Sequence, residues 1–184
     1  MKKVIFSSIL IMISYLTFAQ DAKDVSVEKS IFGIQVGVVG AWIHNELKLT
    51  DQIALRSEIG ISIEGLWTED NGNGVGSGTS LPVLSLEPRW YYNVHRRASK
   101  GKRIDGNSAN YLSLRGSYYN YDGSEAKRDR LNHPVLAAIW GIRRNIGKHF
   151  NYETGIGPAL GFGNDNGRKI GLTPYVSFKI GYRF

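Results

Sequence analysis

The last fifteen residues keep a strict period of two, and this limits the fold more than any other feature. Even positions read Ile170, Leu172, Pro174, Val176, Phe178, Ile180, Tyr182 and Phe184. Odd positions read Gly171, Thr173, Tyr175, Ser177, Lys179, Gly181 and Arg183. One face is apolar throughout; the other is small, polar or basic. Alternation at two residues is the signature of a β-strand, whose side chains point to opposite faces in turn.

The same split recurs upstream. Leu84, Leu86, Pro88, Trp90 and Tyr92 oppose Ser85, Glu87, Arg89 and Tyr91; Phe150, Tyr152, Thr154 and Ile156 oppose Asn151, Glu153 and Gly155. Ile53, Leu55, Ile59 and Ile61 oppose Arg56, Glu58, Ser62 and Glu64. Ile34, Val36, Val38 and Trp42 read as one face against Gly33, Gln35 and Gly37. Seven long strands result, at 31–44, 52–67, 81–94, 110–121, 133–146, 149–162 and 170–184, joined by turn-rich stretches with no helical period. An up-and-down barrel with both chain ends on one side needs an even number. The eighth strand is either a short one at Val25-Ser26-Val27-Glu28 or hidden in a segment that merges two. The expected fold is all-β, a single antiparallel up-and-down barrel of about eight strands.

Composition narrows the setting. The chain has 184 residues, no cysteine, and 23 basic against 16 acidic side chains. Without cysteine there is no disulfide scaffold and no Cys-ligated metal site. Lys2 and Lys3 precede an apolar run from Val4 to Phe18 that ends in Thr17-Phe18-Ala19. This pattern reads as a cleavable signal peptide over 1–20, with the cut after Ala19 or Gln20 and the barrel domain over 21–184. The run is shorter than the ~20 residues of a spanning helix.

Alternation alone fits two barrels: a soluble one of lipocalin type with the apolar face inward, and a transmembrane one with that face toward lipid. Three features favour the second. The segments run from 12 residues (110–121) to 16 (52–67), against the roughly 9–11 tilted residues that span a bilayer. Trp42, Trp67, Trp90 and Trp140 all fall on the apolar face, and Trp42, Trp67, Trp90, Tyr92, Phe150 and Tyr182 lie where an aromatic girdle is expected. The other face carries both signs of charge in mid-strand.

The chain closes on Lys-Ile-Gly-Tyr-Arg-Phe. This resembles the terminal strand of bacterial outer-membrane proteins, in which the final aromatic residue is read by the barrel-assembly machinery. The resemblance makes Tyr182 and Phe184 an assembly signal. The stretches Leu86-Glu87-Pro88-Arg89-Trp90-Tyr91-Tyr92-Asn93 and Gly141-Ile142-Arg143-Arg144-Asn145-Ile146-Gly147-Lys148 resemble small porin-like barrels of Bacteroidetes, within the OmpA/OmpX/OmpW-like superfamily. The resemblance implies a place in the bacterial outer membrane, with outer-membrane lipid as the surrounding partner. It implies no particular activity.

With the apolar face outward, Glu58, Glu64, Glu87 and Glu153 point into the lumen together with Arg56, Arg89, Arg115, Arg143, Lys179 and Arg183. An eight-stranded barrel is just wide enough for side chains to fill, so these residues are expected to pair into an ionic network replacing an apolar core. Two other uses of the same residues are a narrow anion-preferring path and acid–base work by Glu58 with Glu64, which Arg56 nearby would hold ionised.

The remaining motifs carry little chemistry. Gly72-Asn73-Gly74-Val75-Gly76-Ser77-Gly78 lacks the Lys-Ser/Thr and helix of a phosphate loop. Asn164-Asp165-Asn166-Gly167 brings one carboxylate where a calcium loop needs several. His44, His95, His133 and His149 show no ligand spacing, so no metal or other cofactor is expected. Some outer-membrane barrels modify lipid A through a Ser–His pair; here only His133 lies at the outer rim, near ordinary loop serines such as Ser124 and Ser80, and no enzyme is expected. The basic run His95 to Arg103 is the main charge cluster. Export excludes nucleic acid, which leaves a solvated turn or anionic headgroup contact through Arg96, Arg97, Lys100, Lys102 and Arg103. Counting back from a periplasmic C-terminus puts 45–51, 95–109 and 147–148 in the periplasm.

Overall fold

Eight antiparallel strands pair in chain order and the last returns to the first, closing the sheet into an up-and-down barrel in a computed structural model. They are β1 (Ser30–Gly37), β2 (Gly40–Lys48), β3 (Ile53–Glu64), β4 (Thr79–Trp90), β5 (Asn110–Tyr119), β6 (Pro134–Ile146), β7 (Phe150–Gly163) and β8 (Lys169–Arg183). The described residues are 25–64, 79–120, 134–163 and 169–184. The expected leader over 1–20, Trp67, the Gly72–Gly78 run, Ser124, His133 and the turn at Asn164–Gly167 lie outside them. Connections alternate between two ends. One, the turn end, carries 49–52, 91–109 and 147–149; the opposite, loop end, carries 38–39 and the three longer connections.

The eighth strand comes from a merger. The segment read as one strand over 31–44 is a hairpin, with Gly37 paired to Gly40 across Val38 and Val39. Across this turn partners have positions that sum to an odd number, as in Gln35↔Trp42 and Gly33↔His44. Parity therefore flips between the two strands. Trp42, placed on the outer face by the unbroken count, points inward and is 6% exposed. Val25-Ser26-Val27-Glu28 is no strand. It crosses the turn end, where the Val27 amide donates to the Asp51 carbonyl and the Val27 side chain is buried.

The long 91–109 connection departs from the helix-free reading as well. It holds helix α1 (Val94–Ser99) and a 3-10 turn at Asp105–Asn107. Val94, Tyr91 and Ala109 pack with Val27 and Ala54 into a small apolar floor beneath the barrel.

The faces divide cleanly. Leu172, Val176 and Ile180 are 71%, 70% and 52% exposed, and Ile34, Ile59, Leu84, Leu114 and Ile156 also look outward. Aromatic rings gather on this outer face near the turn end. Tyr182 packs edge-on against Phe150 and Phe184, Phe184 meets Phe32, and Trp90 meets Tyr92. The Trp140 indole donates to the Tyr92 hydroxyl at 2.9 Å.

Gly40 lets the β1–β2 hairpin fit. Its φ is +155°, and an added Cβ would stand 2.1 Å from the Ile61 carbonyl on β3. Gly147 also has positive φ but faces open space. Gly40→Ala should therefore lower stability by about 1–3 kcal/mol through backbone strain and the clash together. Gly147→Ala should cost only the backbone part, about 1 kcal/mol. Urea midpoints of the two refolded variants check the order.

Candidate functional site

A charge inside a narrow tube has little water to solvate it, so each must find an opposite charge or a hydrogen bond. The barrel register supplies the partners. Cross-strand neighbours include Glu46↔Arg56, Arg56↔Glu87, Arg143↔Glu153 and Glu153↔Lys179. Among the described residues, the buried charges are Glu46, Glu58, Glu87 and Glu153 against Arg56, Arg89, Arg115, Arg143 and Lys179.

Each carboxylate gathers several cations. Glu58 accepts from Arg56 Nη2 at 2.6 Å and Lys179 Nζ at 3.0 Å, and also meets Arg115. Glu153 accepts from Arg89 Nη2 at 2.7 Å and Arg56 Nη1 at 3.4 Å, with the Tyr111 hydroxyl at 3.2 Å. Glu87 joins Arg89 at 2.9 Å and Arg115 at 3.1 Å, while Ser113 donates to its other oxygen at 2.6 Å. Glu46 pairs with Arg143 at 3.0 Å and accepts from the Tyr91 hydroxyl at 2.7 Å and Asn107 Nδ2 at 2.5 Å.

Neutral polar groups complete the lattice. Arg56 Nη2 donates to Gln35 Oε1 at 2.5 Å, and Gln35 Nε2 to Asn151 Oδ1 at 3.1 Å. Arg115 donates to Ser85 and Ser117. Two cations also lie on aromatic faces: Lys179 Nζ is 4.2 Å from the Trp42 ring centroid, and the Arg89 guanidinium 4.3 Å from that of Tyr111. Tyr111 has room because Gly141 faces it; a Cβ there would stand 2.2 Å from the ring. Every strand from β1 to β8 contributes at least one member.

Of the ten residues expected in the lumen, Arg56, Glu58, Glu87, Arg89, Arg115, Arg143, Glu153 and Lys179 meet there. Arg183 does not; it sits at the turn end and bridges Glu28 at 2.9 Å and Asp105 at 2.7 Å. The Glu64 side chain lies outside the described residues, and with it any Glu58–Glu64 pair. Glu46 and His44 also face the lumen; the sequence reading missed Glu46 because it ended the strand at 44 and took 45–51 for a turn, and His44 because the merged strand reversed its parity. The sequence's one hint of the break is the pair of glycines, Gly37 and Gly40, that flank the two-residue turn. Within the expected girdle, Trp90, Tyr92, Phe150 and Tyr182 lie at the turn end, whereas Trp42 is interior. Phe184 of the expected assembly signal is 72% exposed. Its backbone amide donates to the Phe32 carbonyl at 3.0 Å.

Toward the loop end the network meets a cavity of about 290 Å³, bordered by Trp42, Ser62, Arg115, Tyr175 and Lys179. At the turn end the floor is polar at its edge. The Gly106 amide donates to Glu28, Asn107 Oδ1 accepts from the Glu28 amide at 2.8 Å, and Asn145 Nδ2 donates to the Asp105 carbonyl at 2.5 Å. Among the described residues no three His, Asp or Glu side chains converge on a metal position.

Two predictions follow from the pairing. Glu58→Gln leaves Arg56, Arg115 and Lys179 around a neutral amide, so it should cost about 3–5 kcal/mol. Lys179→Met should cost less, because Glu58 keeps both arginines. Denaturant midpoints in detergent, read with heat-modifiability on gels, rank the two variants; equal midpoints would count against a paired interior. At the turn end, the hydrogen bond from the Arg103 guanidinium holds the Asp105 carboxyl below its ordinary 3.8, helped by Asn145 and Arg183. A depressed carboxyl contributes stability above its unfolded value and loses it as pH falls through the folded one. The Asn145 side-chain amide resonance, whose Nδ2 donates to Asp105, should thus hold steady above about pH 4 and move below it, and Asp105→Asn should abolish that movement.

No family model, curated protein or solved structure matches the chain, so what the molecule is rests on this geometry: a small eight-stranded β-barrel, apolar outside and ionic within.

Proposed function

We propose that the protein is a small outer-membrane β-barrel whose lumen is plugged by its ionic network, serving as a structural membrane protein that offers its loop-end connections for binding. One observation carries this reading: the apolar residues lie on the outside of the barrel and the charged ones inside. In water, that outer wall of Ile, Leu, Val and Phe would be an aggregation surface far larger than soluble monomers expose. In hydrocarbon, it is the favourable solvent-facing surface, and closure removes the strand edges that lipid cannot satisfy. The ring of Trp90, Tyr92, Phe150 and Tyr182 supports the same setting, since such side chains favour the membrane–water boundary. No helix among the described residues is long and apolar enough to cross a membrane.

A lipocalin-like carrier needs the opposite arrangement, with an apolar pocket at the centre. The centre here holds Arg56, Arg89 and Arg143, all fully buried. That packing also argues for a plug over a pore.

Fractionation and conductance test the two halves of the proposal separately. The protein should require detergent for extraction and remain with the outer-membrane fraction; recovery from the periplasm or medium without detergent would refute the membrane assignment. In planar bilayers the refolded protein should be electrically silent. Steady conductance with anion preference would replace the plug by a narrow path through the basic interior.

A further inference from the structure

The cations at the turn end are treated differently from those in the lumen. Beside helix α1 lies a pocket of about 330 Å³ bordered by Arg96, Arg97, Lys100, Lys102 and Arg144. Among the described residues no carboxylate borders it. Arg144 is fixed by the strand wall, donating to Asn110 Oδ1 at 2.5 Å and to the Arg143 carbonyl at 2.6 Å. Arg97 is fixed by the loop, donating to the Arg103 carbonyl at 2.9 Å. Among the described residues, Arg96, Lys100 and Lys102 make no side-chain hydrogen bond and no ion pair. Arg103, the remaining base of the run, does not border the pocket; it is bound to Asp105.

Five like charges around one cavity repel unless an anion joins them, and none of the described residues supplies one there. Arginine and lysine together suit a phosphate, the first by its planar fork and the second as a point charge. Depth decides which phosphate. Tyr92 borders the same pocket, and its hydroxyl accepts from Trp140 Nε1 at 2.9 Å and Asn110 Nδ2 at 3.3 Å. It thereby belongs to the aromatic band, whose members sit at headgroup level in a membrane barrel. The cavity opens just beyond the edge of the hydrocarbon.

We propose that this pocket is a binding site for the phosphate of an anionic phospholipid in the leaflet facing the turn end. The site rests on the membrane reading given above, and goes beyond it by naming a ligand and the residues that hold it. Arg97 and Arg144 form the preset part of the cradle, and Arg96, Lys100 and Lys102 close over the headgroup. The lipid would anchor α1 to the bilayer surface and fix the barrel's vertical position.

The test is retention of lipid by the folded barrel. The protein in zwitterionic micelles is offered phosphatidylglycerol and phosphatidylcholine at equal concentration, and bound lipid is counted by native mass spectrometry. One phosphatidylglycerol should be retained in preference. Each basic side chain near an anionic surface contributes roughly a fivefold factor, so Arg96→Gln with Lys100→Gln and Lys102→Gln should weaken retention about a hundredfold. None of those three side chains has a partner to lose, so folding is preserved, as heat-modifiability will report. Arg103→Gln removes one charge from the same loop outside the pocket and should leave retention within about twofold. Equal retention of both lipids, or a triple variant no weaker than Arg103→Gln, would overturn the site. Displacement of the lipid by millimolar inorganic phosphate would reassign the pocket to a free anion. Vesicle flotation is scored apart: a folded barrel that does not float removes the membrane reading and the lipid site with it, whereas lost selectivity in micelles removes the site alone.

Discussion

A buried charge must meet its opposite, and the rest of this barrel is arranged around that requirement. Moving a carboxylate or guanidinium out of water costs several kcal/mol per ion even after relaxation. Among the described residues four carboxylates and five cations accept that cost in the lumen, and each but Lys179, whose carboxylate is Glu58, lies near two or more opposite charges. Glu58 holds three cations, and Arg89 spans Glu87 and Glu153 through one nitrogen. The strand register is the device that makes this possible. A slip by one residue would turn every inward charge to the outer wall, so the ion pairs define the register as firmly as an apolar core would.

The two ends of the tube differ in kind. At the turn end an apolar floor of Val27, Tyr91, Val94 and Ala109 underlies the network, edged by the Glu28, Asp105 and Arg183 bridges. At the loop end the network gives onto a cavity beside Trp42 and Lys179. The charge distribution follows the same division. Interior cations are matched, whereas Arg96, Lys100 and Lys102 on the floor's outer side have no counter-charge among the described residues.

Most of the fold was legible in the sequence because a period of two is a direct image of strand geometry. Where one strand filled one alternating run, as in β4 or β8, the faces were read residue by residue, and Arg89, Glu87 and Lys179 were placed inward for that reason. The reading failed where two strands shared an unbroken run of apolar residues. Val38 and Val39 form a turn without Asn, Asp or Pro, and β-branched residues carry no turn signal. Parity was lost there, which turned Trp42 outward, and the strand was ended at 44, which left Glu46 in a turn. The short helix α1 escaped for another reason: six residues give no period to detect, and it is Val94 docking on the floor that secures it. Partners two residues apart on one strand, Arg56 with Glu58 and Arg89 with Glu87, were within reach of the sequence; Arg56 and Glu153 were not, since they lie 97 positions apart and meet only across the closed barrel.

That long reach bears on how such a molecule can be put together. Glu58 and Lys179 are 121 positions apart, so the β2–β3 hairpin holds Glu46, Arg56 and Glu58 but neither Arg115 nor Lys179, which complete the match. A half-built sheet lying open in hydrocarbon would present naked guanidinium groups to oil. In the membrane setting proposed above, the sheet would need to close in a watery or sheltered place or as it enters the bilayer, because hairpins threaded one at a time would leave Arg115 and Lys179 facing oil without Glu58.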